Sequence, residues 1–305
     1  LRHRQIKRLE APVEDLKEFF GQSAEYLVQV SWTLHPSDFM VAQWAVQAQL
    51  EGWTLAGERH YWDDRPTLLN RQAVEVSRDQ FEFVLKEGRQ FWRGPAGERA
   101  VIDLDYEAGY MPRESEVTFI IQESRHQWAL DLIPKMKEWM DRNHYLGGQA
   151  ITARGDFIDF DEPTEWKDVL LPDELRESIE RNCIDLLKYS ELYKANGIPL
   201  RRGLLLHGKP GTGKTMIGRA LAQQCQVTFI LATPGMIDDP SDVRRVFSWG
   251  HRFAPSILFF EDFDMVASDR HLNAHPDNLG EFLVGLDGLD AREGLKAIAT
   301  TNYLT

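Results

Sequence analysis

Eight consecutive residues, Gly208-Lys209-Pro210-Gly211-Thr212-Gly213-Lys214-Thr215, set three glycines ahead of a lysine and a hydroxyl. Glycine at these positions lets the backbone curl with successive N–H groups turned inward, where side chains would clash. The apolar run Gly203-Leu204-Leu205-Leu206-His207 before the loop reads as a strand, and Met216 to Gln224 after it reads as a helix. The loop thus ends at a helix N-terminus, whose unpaired N–H groups and positive dipole end favour a multiply charged anion. In that setting Lys214 reaches the β and γ phosphates of a nucleoside triphosphate, and the Thr215 hydroxyl offers one coordination position to Mg²⁺. Pro210, Thr212 and Met216 complete the expected nucleotide contacts. The plain alternative is a glycine-rich turn before a core helix; eight matched positions between strand and helix weigh against it.

A second group of chemically capable residues follows the apolar run Ile257-Leu258-Phe259-Phe260, which ends in Glu261-Asp262-Phe263-Asp264. A buried strand that delivers carboxylates at its carboxyl end is what a metal–triphosphate site needs beside the phosphate loop. One acid would approach the metal and another would polarise an attacking water. Taken alone, the run is equally a buried strand followed by a solvated acidic turn. A third element, Ala299-Thr300-Thr301-Asn302, closes another apolar strand. Its amide could hold a water between the acids and the γ-phosphate without carrying charge. By itself it is a common strand ending, and its value lies in following the other two in order.

Elements of the right kind surround these groups. After residue 160 strands and helices alternate, the pattern of a parallel sheet covered on both faces. Strands are expected near Gly203–His207, Val227–Leu231, Ser256–Phe260 and Leu295–Thr300, with helices over Lys214–Gln224, Ser241–Trp249 and Leu279–Leu286. Pro172 followed by Asp173, Glu174 and Glu177 starts another helix, with Leu175, Ile179, Leu186 and Leu187 available for burial. Before residue 160 the texture differs: seven of the nine tryptophans lie there. Asp38 to Leu50 has helical spacing, with Phe39, Ala42, Ala45 and Val46 near one face. Phe81–Leu85 and Gln90–Trp92 flank Lys86-Glu87-Gly88-Arg89 and read as a hairpin. Val101–Tyr106 and Glu116–Ile121 read as strands, His126–Met140 as a helix that Pro134 kinks or breaks, and Ile151–Phe160 as a weaker strand. The expected organisation is an α+β N-terminal domain over residues 1–160 and an α/β nucleotide-binding domain over 161–305.

Bulk properties agree. A chain of 305 residues with 43% hydrophobic and 27% charged content is that of a globular protein of two domains. Its formal charge of −13 disfavours a nucleic-acid footprint. Two cysteines without C-x-x-C spacing, Cys183 and Cys225, read as buried free thiols of a reducing compartment, which places the chain in the cytoplasm. No apolar run approaches the ~18 residues of a membrane span. The basic stretch from Arg2 to Arg8 reads as a solvated tail, His271 and His275 as a loop pair rather than a metal site.

The series Trp166-Lys-Asp-Val169, Gly197 to Thr215, Ala254 to Asp264, Leu286-Asp-Gly-Leu289 and Ala299 to Asn302 resembles the AAA+ ATPase module over roughly residues 161–305. The resemblance implies a P-loop NTPase fold, ATP and Mg²⁺ as ligands, and assembly as a homo-oligomeric ring, a hexamer favoured. By position it gives Lys214 and Thr215 the phosphate and metal roles. Glu261 and Asp262 become the acidic pair, Asn302 the water-sensing residue, and Asp168 and Val169 the edge of the adenine pocket. Most members carry Asp-Glu where this chain has Glu261-Asp262. The inverted order is shared by the subgroup that resembles the mitochondrial translocase of the Rieske protein. The resemblance implies that both acids serve the metal and the attacking water, with Glu261 toward the metal and Asp262 as the base if the motif keeps its register, and the reverse as the alternative. Lys209 replaces a frequent proline. The segment between Leu231 and Val243, where ring members carry the central-pore residues, lacks their aromatic–apolar–glycine trio. A helical lid and arginine fingers are implied beyond Thr305. The implied function is ATP hydrolysis coupled to remodelling or translocation of a protein substrate, which the N-terminal domain selects directly or through an adaptor. A nucleotide-gated scaffold with little turnover and, less favoured, a DNA-transaction ATPase stand as alternatives.

Overall fold

The computed structural model describes residues 6–8, 14–21, 26–59, 69, 71–77, 79–106, 115–160, 164–185, 188–198, 200, 202–225, 227–267, 278–287 and 294–302. Leu186, Leu187, His271, His275 and Leu289, and most of the basic N-terminal stretch, lie outside them. The chain divides into two compact units, Leu1–Tyr145 and Leu146–Thr305.

The first unit runs β1 (Ile6–Arg8), α1 (Glu14–Phe20), β2 (Leu27–Leu34), α2 (Pro36–Gln49), β3 (Thr54–Arg59), β4 (Arg71–Ser77), β5 (Gln80–Leu85), β6 (Glu87–Arg93), β7 (Arg99–Asp105), β8 (Ser115–Gln122) and α3 (His126–Asn143). Six strands form an antiparallel sheet in the order β1-β2-β8-β7-β6-β3. Period-two alternation divides each strand between two cores. Val28, Val30, Ile102 and Phe119 face the core built with α2 and α3. Leu27, Phe91, Val101 and Ile120 face the smaller one that α1 completes with Leu16, Phe19 and Phe20. The helical face expected from Phe39, Ala42, Ala45 and Val46 is wholly buried.

One expectation fails here, and of two outcomes expected at Pro134 one is excluded. Residues 81–92 do not form a hairpin: β5 pairs with β4 in a separate two-stranded ribbon, while β6 lies between β3 and β7 in the main sheet. The end of β5 is held by a side chain instead of a returning strand. Gln43 of α2 donates to the Leu85 carbonyl at 2.8 Å and accepts from its N–H at 3.0 Å. Nor does Pro134 break its helix, which continues from His126 to Asn143. The proline sits on the solvent side of a buried stripe formed by Ala129, Leu132, Ile133, Met136 and Met140, where the lost hydrogen bond is open to water.

The second unit begins with β9 (Ala150–Thr152), followed by a 3₁₀ turn at Trp166–Asp168, α4 (Asp173–Ile179), a π-type turn at Glu180–Asp185 and α5 (Ser190–Ala195). Then come β10 (Arg202–His207), α6 (Lys214–Gln224), β11 (Thr228–Ala232), α7 (Pro240–Arg252), β12 (Ser256–Phe260), α8 (Phe263–Ala267), α9 (Asn278–Asp287) and β13 (Leu295–Thr301). The five strands are all parallel, in the order β10-β13-β12-β11-β9. Helices cover both faces, as the alternating pattern predicts. Ile257 and Phe259 of β12 join α6 and the 166–169 turn in one core. On the other face Phe260 meets Phe247 of α7 and Phe282 of α9 at ring separations of 5.7 and 5.0 Å. The division between units falls at 145/146 rather than 160/161, because Ala150–Thr152 pairs with Phe229–Leu231 as an edge strand of the second sheet.

Candidate nucleotide site

The loop between β10 and α6 sits at the carboxyl edge of the sheet, where parallel α/β folds place their ligands. Its shape depends on Gly211 and Gly213, whose φ values of 79° and 91° are left-handed and which among the described residues have nothing within 4 Å of a Cβ. Gly213 is also the N-cap of α6, so no side chain covers the first helical N–H groups. Gly208 is tied to the sheet by its N–H, which donates to the Thr301 carbonyl at 3.2 Å. The Thr212 hydroxyl folds back to donate to the Lys209 carbonyl at 2.8 Å. Pro210 lies in the exposed part of the loop and Met216 on the exposed side of α6.

Lys214 turns its ammonium into the loop. Nζ donates to the carbonyls of Gly208 at 2.6 Å and Lys209 at 3.2 Å, and to Asn302 Oδ1 at 2.9 Å. Asn302 in turn donates from Nδ2 to Asp262 Oδ1 at 3.0 Å. Lysine, amide and carboxylate, far apart in sequence, therefore form one hydrogen-bonded row across the ends of α6, β13 and β12. Beside that row the Thr215 hydroxyl donates to Glu261 Oε1. The two neighbouring acids thus face different partners: Glu261 the threonine, Asp262 the asparagine.

Backbone geometry keeps them apart. Asp262 adopts a φ of 45°, unusual for a residue with a Cβ, and its N–H donates to Thr300 Oγ1 at 2.9 Å. The Glu261 N–H donates to the Ala232 carbonyl at 2.8 Å, and the Asn302 N–H to Asp264 Oδ1 at 3.2 Å. Thr300 and Asp264 were not among the expected site residues. Their signal was present in the strand register, since β12 and β13 pair at Phe260 and Ala299, which sets the two strand endings side by side.

Asp168 and Val169 lie on the flank of α6. Val169 is buried with Trp166, Ile217, Ala220 and Leu221 in one cluster. The Asp168 carboxylate is engaged locally, accepting from the Glu165 N–H at 3.2 Å in a capping box. Arg176 donates to the carbonyls of Trp166 and Val169, which pins the turn against the helix. On the opposite flank of α6, Thr215, Gly218 and Glu261 border a cavity of about 380 Å³ together with Ile158 and Phe160.

The residues present suit a triphosphate and a hard divalent cation. Open glycine positions, a bare helix N-terminus and an ammonium face the place of the phosphates, and a hydroxyl with two carboxylates supplies oxygen donors.

Known proteins resemble this part of the chain. Residues 204–305 match the family model described as ATPase family associated with various cellular activities (AAA). The ATP-dependent zinc metalloprotease FtsH 1 of Symbiobacterium thermophilum is 34% identical over 148 residues, covering 45% of this chain and 25% of that protein. The 26S proteasome regulatory subunit 4 homolog of Dictyostelium discoideum is 35% identical over 143 residues, 43% of this chain and 32% of that protein. A putative cell division cycle ATPase of Plasmodium falciparum is 29% identical over 147 residues, 45% of this chain and 12% of that protein. The chain thus spans at most about a third of these relatives' own length.

Proposed function

From the match of residues 204–305 to the AAA family model and the geometry above, we propose that the chain is an AAA+ ATPase that binds ATP with Mg²⁺ and hydrolyses it. Turnover is coupled to remodelling or translocation of a protein substrate, in a homo-oligomeric ring, with residues 1–145 as the substrate or adaptor unit. The observation that carries this reading is the row from Lys214 through Asn302 to Asp262, with Thr215 and Glu261 paired beside it.

Each residue then has a task. Lys214 trades its contacts with the loop carbonyls for phosphate oxygens and offsets their charge. The loop and α6 N–H groups orient the phosphate chain. Thr215 and Glu261 would hold Mg²⁺ through their oxygens, and the bound ion would supply charge neutralisation. Asp262, aligned by Asn302, accepts the proton of the attacking water at its carboxylate. Asn302 touches both the lysine and this base, so it can register whether a γ-phosphate separates them. The inverted Glu-Asp order is thereby consistent with hydrolysis: the longer acid reaches the threonine, the shorter one the water.

An ATPase assay on the whole chain tests the proposal. Lys214→Ala and Asp262→Asn should each lower turnover by about a hundredfold or more, with ATP affinity kept in Asp262→Asn. Turnover that ignores both substitutions would defeat it.

A further inference from the structure

The second unit starts with a short strand whose continuation touches the catalytic edge. β9 runs beside β11, and past it the Ala153 N–H donates to the Leu231 carbonyl at 2.7 Å. The chain then turns sharply. Thr152 N–H donates to the Asp156 carbonyl at 2.8 Å, and Gly155 has a φ of 91° at a place where a Cβ would stand 3.3 Å from the Trp249 ring. Arg245 of α7 donates to the Ala153 carbonyl at 3.3 Å. The turn is therefore fixed against α7 and the sheet, and it projects Arg154.

Arg154 Nη2 donates to the Gly235 carbonyl at 2.7 Å and lies 3.8 Å from the Asp238 carboxylate. Both belong to the segment 232–238 that bridges β11 and α7. One end of the bridge is the Ala232 carbonyl, which accepts the Glu261 N–H. Its other end is the capping box of Asp239 and Asp242 at the start of α7. Between those anchors, the Arg154 side chain reaches across to the middle of the bridge.

We propose that Arg154 is a positioning residue for Glu261: it holds the 232–238 bridge so that the Ala232 carbonyl fixes the Glu261 backbone and keeps its carboxylate on Thr215. The inference rests on the reading of this unit as a Mg²⁺-dependent ATPase. The Arg154 side chain is 54% exposed, and its removal takes little from the stability of the fold.

The test compares wild type, Arg154→Ala and Arg154→Lys in steady-state ATP hydrolysis, with free Mg²⁺ titrated at saturating ATP. Arg154→Ala should leave KM for ATP within about twofold and lower kcat about tenfold, while raising the Mg²⁺ concentration for half-maximal rate. Arg154→Lys, which can still donate to the Gly235 carbonyl, should recover most of kcat. An unchanged kcat in Arg154→Ala would overturn the inference, as would a lysine variant no better than alanine. A fall in melting temperature with loss of ATP binding would assign the residue a structural role instead and overturn it equally. If the wild type shows no turnover that depends on Lys214, the parent reading fails and this one with it.

Discussion

Lys296 offers a quantitative test of the sheet that carries Asn302. It lies in β13, flanked in register by Arg202 of β10 and Ile257 of β12, and is only 1% exposed. Its Nζ is buried with no hydrogen-bond partner among the described residues. Burial first, and then the neighbouring Arg202 charge, push its pKa down from 10.5 to about 8, against a small opposing effect of Cys183. Burial raises the Cys183 thiol to about 12, so it is neutral over the range in which Lys296 titrates. The unfolded chain therefore binds a proton at this site between about pH 8 and 10.5 that the folded chain does not. Stability must rise with pH across that window, and the whole cost of charging is present below it. The gap is worth about 3 kcal/mol at most. Lys296→Met keeps most of the apolar stem and removes the charge. Near neutral pH it should stabilise the second unit by up to about 3 kcal/mol, and the advantage should vanish above about pH 10.5. Urea unfolding of both proteins at several pH values reads this directly as a difference between matched curves. A variant that is less stable at neutral pH, or an advantage that does not depend on pH, would show that Lys296 is satisfied in the fold and refute the reasoning.

Two further substitutions probe how the site is supported. Gly218 lets α6 lie against β12, since a Cβ there would stand 2.7 Å from the Phe259 ring; Gly218→Ala should cost about 1–3 kcal/mol in thermal or urea unfolding and loosen the phosphate helix. Asp239 accepts the Ser241 N–H at 2.6 Å as N-cap of α7, so Asp239→Ala should cost about 1 kcal/mol in the same assays.

The parts of this protein legible in its sequence are those specified locally. The phosphate loop, the acidic strand end and the Ala299–Asn302 ending each declare themselves in a few adjacent residues. Long apolar runs gave β10 to β13 nearly at their observed bounds. What escaped depends on partners distant in sequence. Ala150–Thr152 is too short to announce an edge strand, and its place is decided by the backbone of Phe229 to Leu231. Residues 81–92 look like a hairpin because strand propensity and a glycine lie together, yet Gln43 fixes the end of β5 from another element. Lys296 carries no local sign of its burial, which follows because β13 is covered on both faces. That Glu261 meets Thr215 while Asp262 meets Asn302 likewise depends on the register of β12 against β13.

The placement of β9 bears on how the protein can be cut. A fragment that begins at residue 161 would leave behind the strand that shields the N–H and C=O groups of Phe229, Ile230 and Leu231. That bare rim, set in an apolar stretch, invites self-association in solution. Severing between Tyr145 and Leu146 instead retains the strand and its arginine with the sheet they complete.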